Sequence, residues 1–115
     1  MVNQMVKCST LDRRISAIAD PTRREILERL TSGPASVSEL AAPMAISLPG
    51  LLKHVRILEE VDLVRSEKRG RTRECRLGDA SLDDVAEWVD QQRRQWDRRL
   101  DRLEAYIATK KEGPT

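Results

Sequence analysis

Apolar residues recur along this chain with two periods, and the places where one gives way to the other divide it into elements. Leu11, Ile15 and Ile18 follow the four-then-three spacing of one helix face, which predicts a first helix from about Thr10 to Ala19. Asp20 can cap a second helix by accepting its orphan backbone N–H groups, and Pro21 suits a first turn, where no hydrogen bond is lost. Ile26, Leu27 and Leu30 mark its buried stripe, and Gly33-Pro34 ends it. Ser36 and Glu39 have the spacing of a capping box, in which each satisfies the other's backbone donor. The short third helix that follows carries Val37, Leu40 and Ala41 inward and should stop close to Pro43, which cannot continue the ladder. After a tight turn over Met44 to Ile46, Ser47 is a natural cap for a fourth helix. Pro49 lies in its first turn, Leu51, Val55 and Leu58 form its inner stripe, and it ends around Val61 and Asp62.

Beyond Leu63 the period shortens. LVRSEK and RTRECRL are short runs on either side of Arg69-Gly70, which predicts a two-stranded hairpin with glycine at the tip. Ser81, followed by Asp83 and Asp84, then opens a long last helix, since acids suit the positive end of a helix dipole. Leu82, Val85, Val89, Trp96, Leu100, Leu103 and Ile107 are its apolar stripe. The expected fold is mainly α, with five helices and a small β-hairpin wing, in the winged helix-turn-helix class. Its domain should span residues 10–108, between a flexible N-terminus at 1–9 and a flexible tail at 109–115.

Composition agrees with one helical domain: of 115 residues, 39% are hydrophobic and only 3% aromatic, so Leu, Ile, Val and Ala must build the core. No apolar run approaches the ~18 residues of a membrane span, and the N-terminus has no signal-peptide pattern, so a cytoplasmic protein without a membrane partner is expected. Net charge changes the picture only locally. A formal +2 is too mild to suggest a nucleic-acid partner. Between Arg65 and Arg76, however, Arg65, Lys68, Arg69, Arg71, Arg73 and Arg76 face only Glu67 and Glu74, a local net of +4.

Two short helices joined by a tight turn are a helix-turn-helix, in which the second helix is the one placed to enter a DNA groove. The candidate DNA-contacting residues on it are Ser47, Leu48, Pro49, Gly50, Lys53, His54 and Arg56, which fall off the Leu51/Val55/Leu58 stripe. Gly50 would permit close approach to the duplex. On the hairpin, Lys68, Arg69, Arg71 and Arg73 can lie along phosphates or in a minor groove, where binding is electrostatic. Either feature alone has a plain structural reading, as a surface turn or a solvated hairpin; their adjacency is what favours DNA.

IADPTRREILERL, ASVSELA, SLPGLLKHVRILEEVDLV and RSEKRGRTRECRL together resemble the ArsR family of bacterial winged-helix repressors, from about Leu11 to Ile107. DPTR-x-x-I-L and KH-x-x-x-LEE-x-x-LV are the most specific carriers. The resemblance implies a transcriptional regulator that binds a palindromic operator as a homodimer, with the first and last helices packed against their symmetry mates. Half-sites would lie about 34 Å apart, one DNA turn. Leu11 and Ile15, with Trp96, Leu100, Leu103 and Ile107, are the candidate dimer interface. The last four also extend beyond what so small a core requires.

This chain departs from the family in several places. The Cys-x-Cys pair of metal-sensing members is absent from the third helix, and the sole histidine, His54, lies in the recognition helix, so neither metal nor cofactor is expected. Cys75 reads as a small buried hydrophobe on a strand, and Cys8 as either a thiol switch or part of a frayed end. Ala45 stands where the turn usually has glycine, which would cost about 1 kcal/mol if φ is positive. Leu52 replaces a small polar residue. No catalytic constellation is present: Trp88 and Trp96 read as packing residues, and Asp83, Asp84, Asp90, Asp97 and Asp101 as a solvated helix face. A winged-helix protein-interaction module without specific DNA binding is the rival reading. A small-molecule effector, a redox signal, or no signal at all are equally compatible with the sequence.

Overall fold

A computed structural model describes residues 9–111. The chain forms two compact units, divided between Leu82 and Asp83. The first contains α1 (Thr10–Ile18), α2 (Pro21–Leu30), β1 (Ala35–Ser36), α3 (Val37–Met44), α4 (Leu48–Glu60), β2 (Val64–Arg69) and β3 (Thr72–Leu77). The second is the single helix α5 (Asp83–Lys111). Residues 1–8 and 112–115, including Cys8 and most of the expected flexible ends, lie outside the described residues. Thr109 to Lys111, assigned above to the tail, continue α5.

Local chemistry fixes the helix starts. Ser9 Oγ accepts the Asp12 N–H at 3.1 Å, and Asp20 Oδ2 accepts the Arg23 N–H at 3.0 Å. The capping box is closed on both sides, with Ser36 Oγ accepting from the Glu39 N–H at 3.1 Å and Glu39 Oε1 from the Ser36 N–H at 3.2 Å. These bonds hold the Glu39 carboxyl below its ordinary range. Ser47 Oγ caps α4 through the Gly50 N–H at 3.2 Å. α3 stops close to Pro43 as expected, at Met44 one residue on; a proline so near the end removes only one ladder bond. The turn closes at Ala45 with φ 52°, in the left-handed region. The non-glycine strain expected there is therefore present.

Ile26, Leu40, Leu51, Val55 and Leu58 are sealed from solvent, with Val64 and Cys75 closing the core from the sheet side. Burying such side chains contributes about 1.5–3 kcal/mol each for the larger ones. From α1 only Ala17 is fully buried, and Ile18 packs at the core's edge. Leu11 and Ile15 are half-buried and outside that cluster.

The expected hairpin is present, and the sheet has one strand more than expected, in the order β1-β3-β2. Ala35 pairs with Cys75 and Ser36 with Glu74, both antiparallel. A two-residue strand is too short to show an alternating pattern, so only the fold reveals it. Gly70, with φ 64°, makes the hairpin turn. At the other end, the Gly78 N–H donates to the Leu63 carbonyl at 2.9 Å and the Ala80 N–H to the Asp62 carbonyl at 3.2 Å. A Cβ on Gly78 would overlap the Asp62 carbonyl, so the strand end and the α4 exit touch backbone to backbone.

Candidate nucleic-acid interface

The first turn of α4 offers few polar side-chain groups. Ser47 is exposed, and its hydroxyl oxygen accepts in the cap while its O–H is left to donate. Leu48 is 47% exposed. Pro49 is exposed, and Gly50 is half-buried. A Cβ at Gly50 would come within 3.1 Å of Ser47 Oγ and 3.2 Å of Ile46 Cγ1, so the glycine makes room for the cap and for Ile46 inside the fold. Further along, Lys53 and Arg56 are exposed and, among the described residues, form no ion pair.

His54 is drawn inward. Its Nδ1 lies 3.3 Å from Arg23 Nη1 and 3.7 Å from Asp20 Oδ2, and its side chain is largely covered. Arg23 also donates from Nε to the Ala17 carbonyl at 2.6 Å and from Nη2 to the Ser16 carbonyl at 3.3 Å. Asp20 is held below the usual carboxylate range, first by the Arg23 backbone N–H and also by the Arg23 and His54 charges, against the opposing effect of desolvation. The DPTR segment and the recognition helix are thus stapled at the junction of α1, α2 and α4. Sequence reading placed His54 among the outward groups because no periodicity connects it to an arginine 31 positions away.

Register sorts the wing's charges onto two faces. Lys68 lies opposite Arg73 and Ser66 opposite Cys75, on the face that carries buried Val64; Arg65, Glu67, Arg69, Thr72, Glu74 and Arg76 share the other. On that outer face Arg69 reaches Glu67 at 3.6 Å and Glu74 at 3.9 Å. Arg65 pairs with Asp79 at 2.5 Å. Arg73 Nη1 donates to Ser66 Oγ at 2.9 Å, and Ser66 donates to Glu59 Oε2 at 3.0 Å. This relay ties β3 through β2 to the last turn of α4, a link that sequence reading missed because no local pattern encodes it. Lys68 and Arg71, on either side of Arg69-Gly70, are exposed and without an ion pair among the described residues.

In the second unit, Trp96 is 67% exposed, and Leu100, Leu103, Tyr106 and Ile107 are each about half exposed. Tyr106, which carries the Lys110 ammonium 5.7 Å above its ring, belongs to this apolar face and was not in the sequence-based set. Among the described residues no group of three His, Cys, Asp or Glu could hold a metal ion, and no helix is long and apolar enough to cross a membrane.

A capped second helix after a tight turn, followed by a hairpin with unpaired cations at its tip, defines a winged helix-turn-helix DNA-binding protein. The family model of a helix-turn-helix domain matches residues 18–67. The HTH-type transcriptional regulator Rv2034 of Mycobacterium tuberculosis is 37% identical over 89 residues, covering 77% of this chain and 80% of that protein. The transcriptional repressor SdpR of Bacillus subtilis is 32% identical over 73 residues, covering 64% and 81%. The crystal structure of the ArsR family transcriptional regulator RHA00566 superposes with a TM-score of 0.70 at 41% identity, covering 76% of this chain and 91% of that one. The chain belongs to the ArsR family of winged helix-turn-helix transcriptional regulators and is a DNA-binding regulator, not an enzyme.

Proposed function

We propose that the protein is a cytoplasmic repressor that binds an imperfectly palindromic operator as a homodimer. Each α4 would enter a major groove, its crest of Pro49, Lys53 and Arg56 toward the duplex, while Lys68 and Arg71 at the wing tip lie on the adjacent backbone or minor groove. Half-sites about 34 Å apart match this arrangement. The observation that carries the DNA surface is the sorting of cations: Lys53, Arg56, Lys68 and Arg71 are exposed and unpaired by any described acid, whereas Arg65 and Arg69 are compensated. In this reading Ser47 and Gly50 shape the helix start, His54 and Arg73 position elements, and Arg69 contributes long-range charge.

The apolar face of α5 supports the dimer. Trp96, Leu100 and Leu103 are each more than half exposed, and a second copy of the chain is the partner that a symmetric regulator supplies. Leu11 and Ile15, left out of the core, are proposed as dimer contacts of the first unit. Selection of bound sequences from a random duplex pool at several salt concentrations tests the proposal. A motif with inverted half-sites one turn apart is expected, and retention of all sequences alike, vanishing as salt rises, would overturn it.

A further inference from the structure

We infer that Leu48 reads the 5-methyl group of a pyrimidine in the major groove, so that this protein selects its operator partly by an apolar contact at the leading end of its recognition helix. The inference rests on the DNA-binding reading above and adds the chemical feature that is recognised. From Ser47 to Leu52, α4 presents one polar side chain. Ser47 Oγ accepts the Gly50 N–H at 3.2 Å and keeps its own O–H to donate, Leu48, Pro49, Gly50 and Leu52 have no polar side-chain group, and Leu51 is sealed in the core. Ahead of Lys53, the Ser47 hydroxyl is thus the one donor this end can offer to a guanine or adenine acceptor.

Otherwise this end presents hydrocarbon. Leu48, 47% exposed, stands one turn before Leu52, whose side chain packs partly on the core and so backs the Leu48 face, and Arg56 follows one turn later. The exposed leucine is followed on its own helix by the exposed cations Lys53 and Arg56, which suit phosphate contacts, as an apolar docking point for another protein would not require. In the major groove, the exposed apolar group on the base edges of unmodified DNA is the C5-methyl of thymine, and 5-methylcytosine carries the same methyl. A leucine against that methyl removes both from water, an effect of about fourfold in affinity per methyl, or about fifteenfold for two symmetric half-sites.

Binding of the full-length protein to its selected operator is measured with each thymine in turn replaced by deoxyuridine, which removes only the methyl. At the position that responds, T·A, U·A, C·G and 5-methyl-C·G pairs are compared. Expected are a loss of about fourfold per half-site for U·A at one thymine, and a gain of similar size when C·G is methylated there. If the selected position is a cytosine, only the methylated pair should bind well, which assigns the methyl to 5-methylcytosine instead. Leu48→Ala should abolish the methyl dependence while leaving the melting temperature near that of the parent, since the residue is exposed. Failure of selection to give any motif overturns the DNA reading itself. A clear motif with affinity indifferent to every pyrimidine methyl, or a methyl dependence unchanged in Leu48→Ala, overturns this inference alone.

Discussion

Cys75 and Gly78 stand three residues apart, and each shows how a small side chain is dictated by its surroundings. Cys75 lies in the middle of β3 without solvent contact, and burial, reinforced by the Glu59 charge, pushes its thiol up to about 11. The unfolded chain's thiol ionises at a lower pH, so stability is unaffected below the ordinary thiol range and declines between that range and about 11. Over this window the melting temperature of the parent should fall more steeply than that of Cys75→Ala; parallel slopes would contradict the burial effect. At Gly78 there is no room for a Cβ against the Asp62 carbonyl, and the obstacle is backbone, which cannot swing aside as a side chain can. Gly78→Ala should cost about 1–3 kcal/mol, seen as a lower denaturation midpoint, without removing any DNA-facing group. The sequence announced Cys75 through strand alternation. It was silent on Gly78, because a close approach between residues 16 positions apart leaves no local trace.

Elements whose ends are set by neighbours along the chain were legible. Asp20, Ser36 and Ser47, the caps expected from the sequence, bond across three residues, and such motifs can be read by eye; Ser9 caps α1 in the same way and was not among them. What joins the elements was not legible: the Asp20/Arg23/His54 cluster and the relay from Arg73 through Ser66 to Glu59 depend on contacts that only the packed core creates. Both bond candidate DNA contacts within the fold, His54 beside Arg23 and Asp20, and Arg73 to Ser66. The turn between α3 and α4 stores strain at Ala45, where φ is 52°. Ala45→Gly relieves it, and the variant should be more stable by about 0.5–1 kcal/mol in chemical denaturation; an equal or lower midpoint would show that the turn is not strained.

At the scale of the whole molecule, α5 is the element least explained by one chain. Val85, Val89, Trp96, Leu100, Leu103 and Ile107 repeat with an 11-residue period, Val85 to Trp96 to Ile107 and Val89 to Leu100. That period, 3.67 residues per turn, keeps a stripe on one side of an almost straight helix about 44 Å long. Gln92 interrupts the stripe with a polar group, a device that can fix register between paired helices at some cost in stability. Leu103→Asp places a charge in this face. Analytical ultracentrifugation should find the parent dimeric at micromolar concentration and the variant monomeric, with operator affinity lost and half-site affinity retained. A monomeric parent would remove the assembly assigned to this face.

In the proposed function α4 and the wing tip form one DNA surface whose charge comes from cations that no described acid pairs. Affinity for the selected operator and for a scrambled duplex, measured across salt concentrations for the parent and for Lys53→Ala, Lys68→Ala and Arg71→Ala, tests it most directly. The parent should prefer its operator by about 10³-fold or more, and each substitution should weaken binding to both duplexes and make the salt slope shallower by about one. Substitutions that left affinity and slope unchanged would contradict the account and favour a winged-helix interaction module instead.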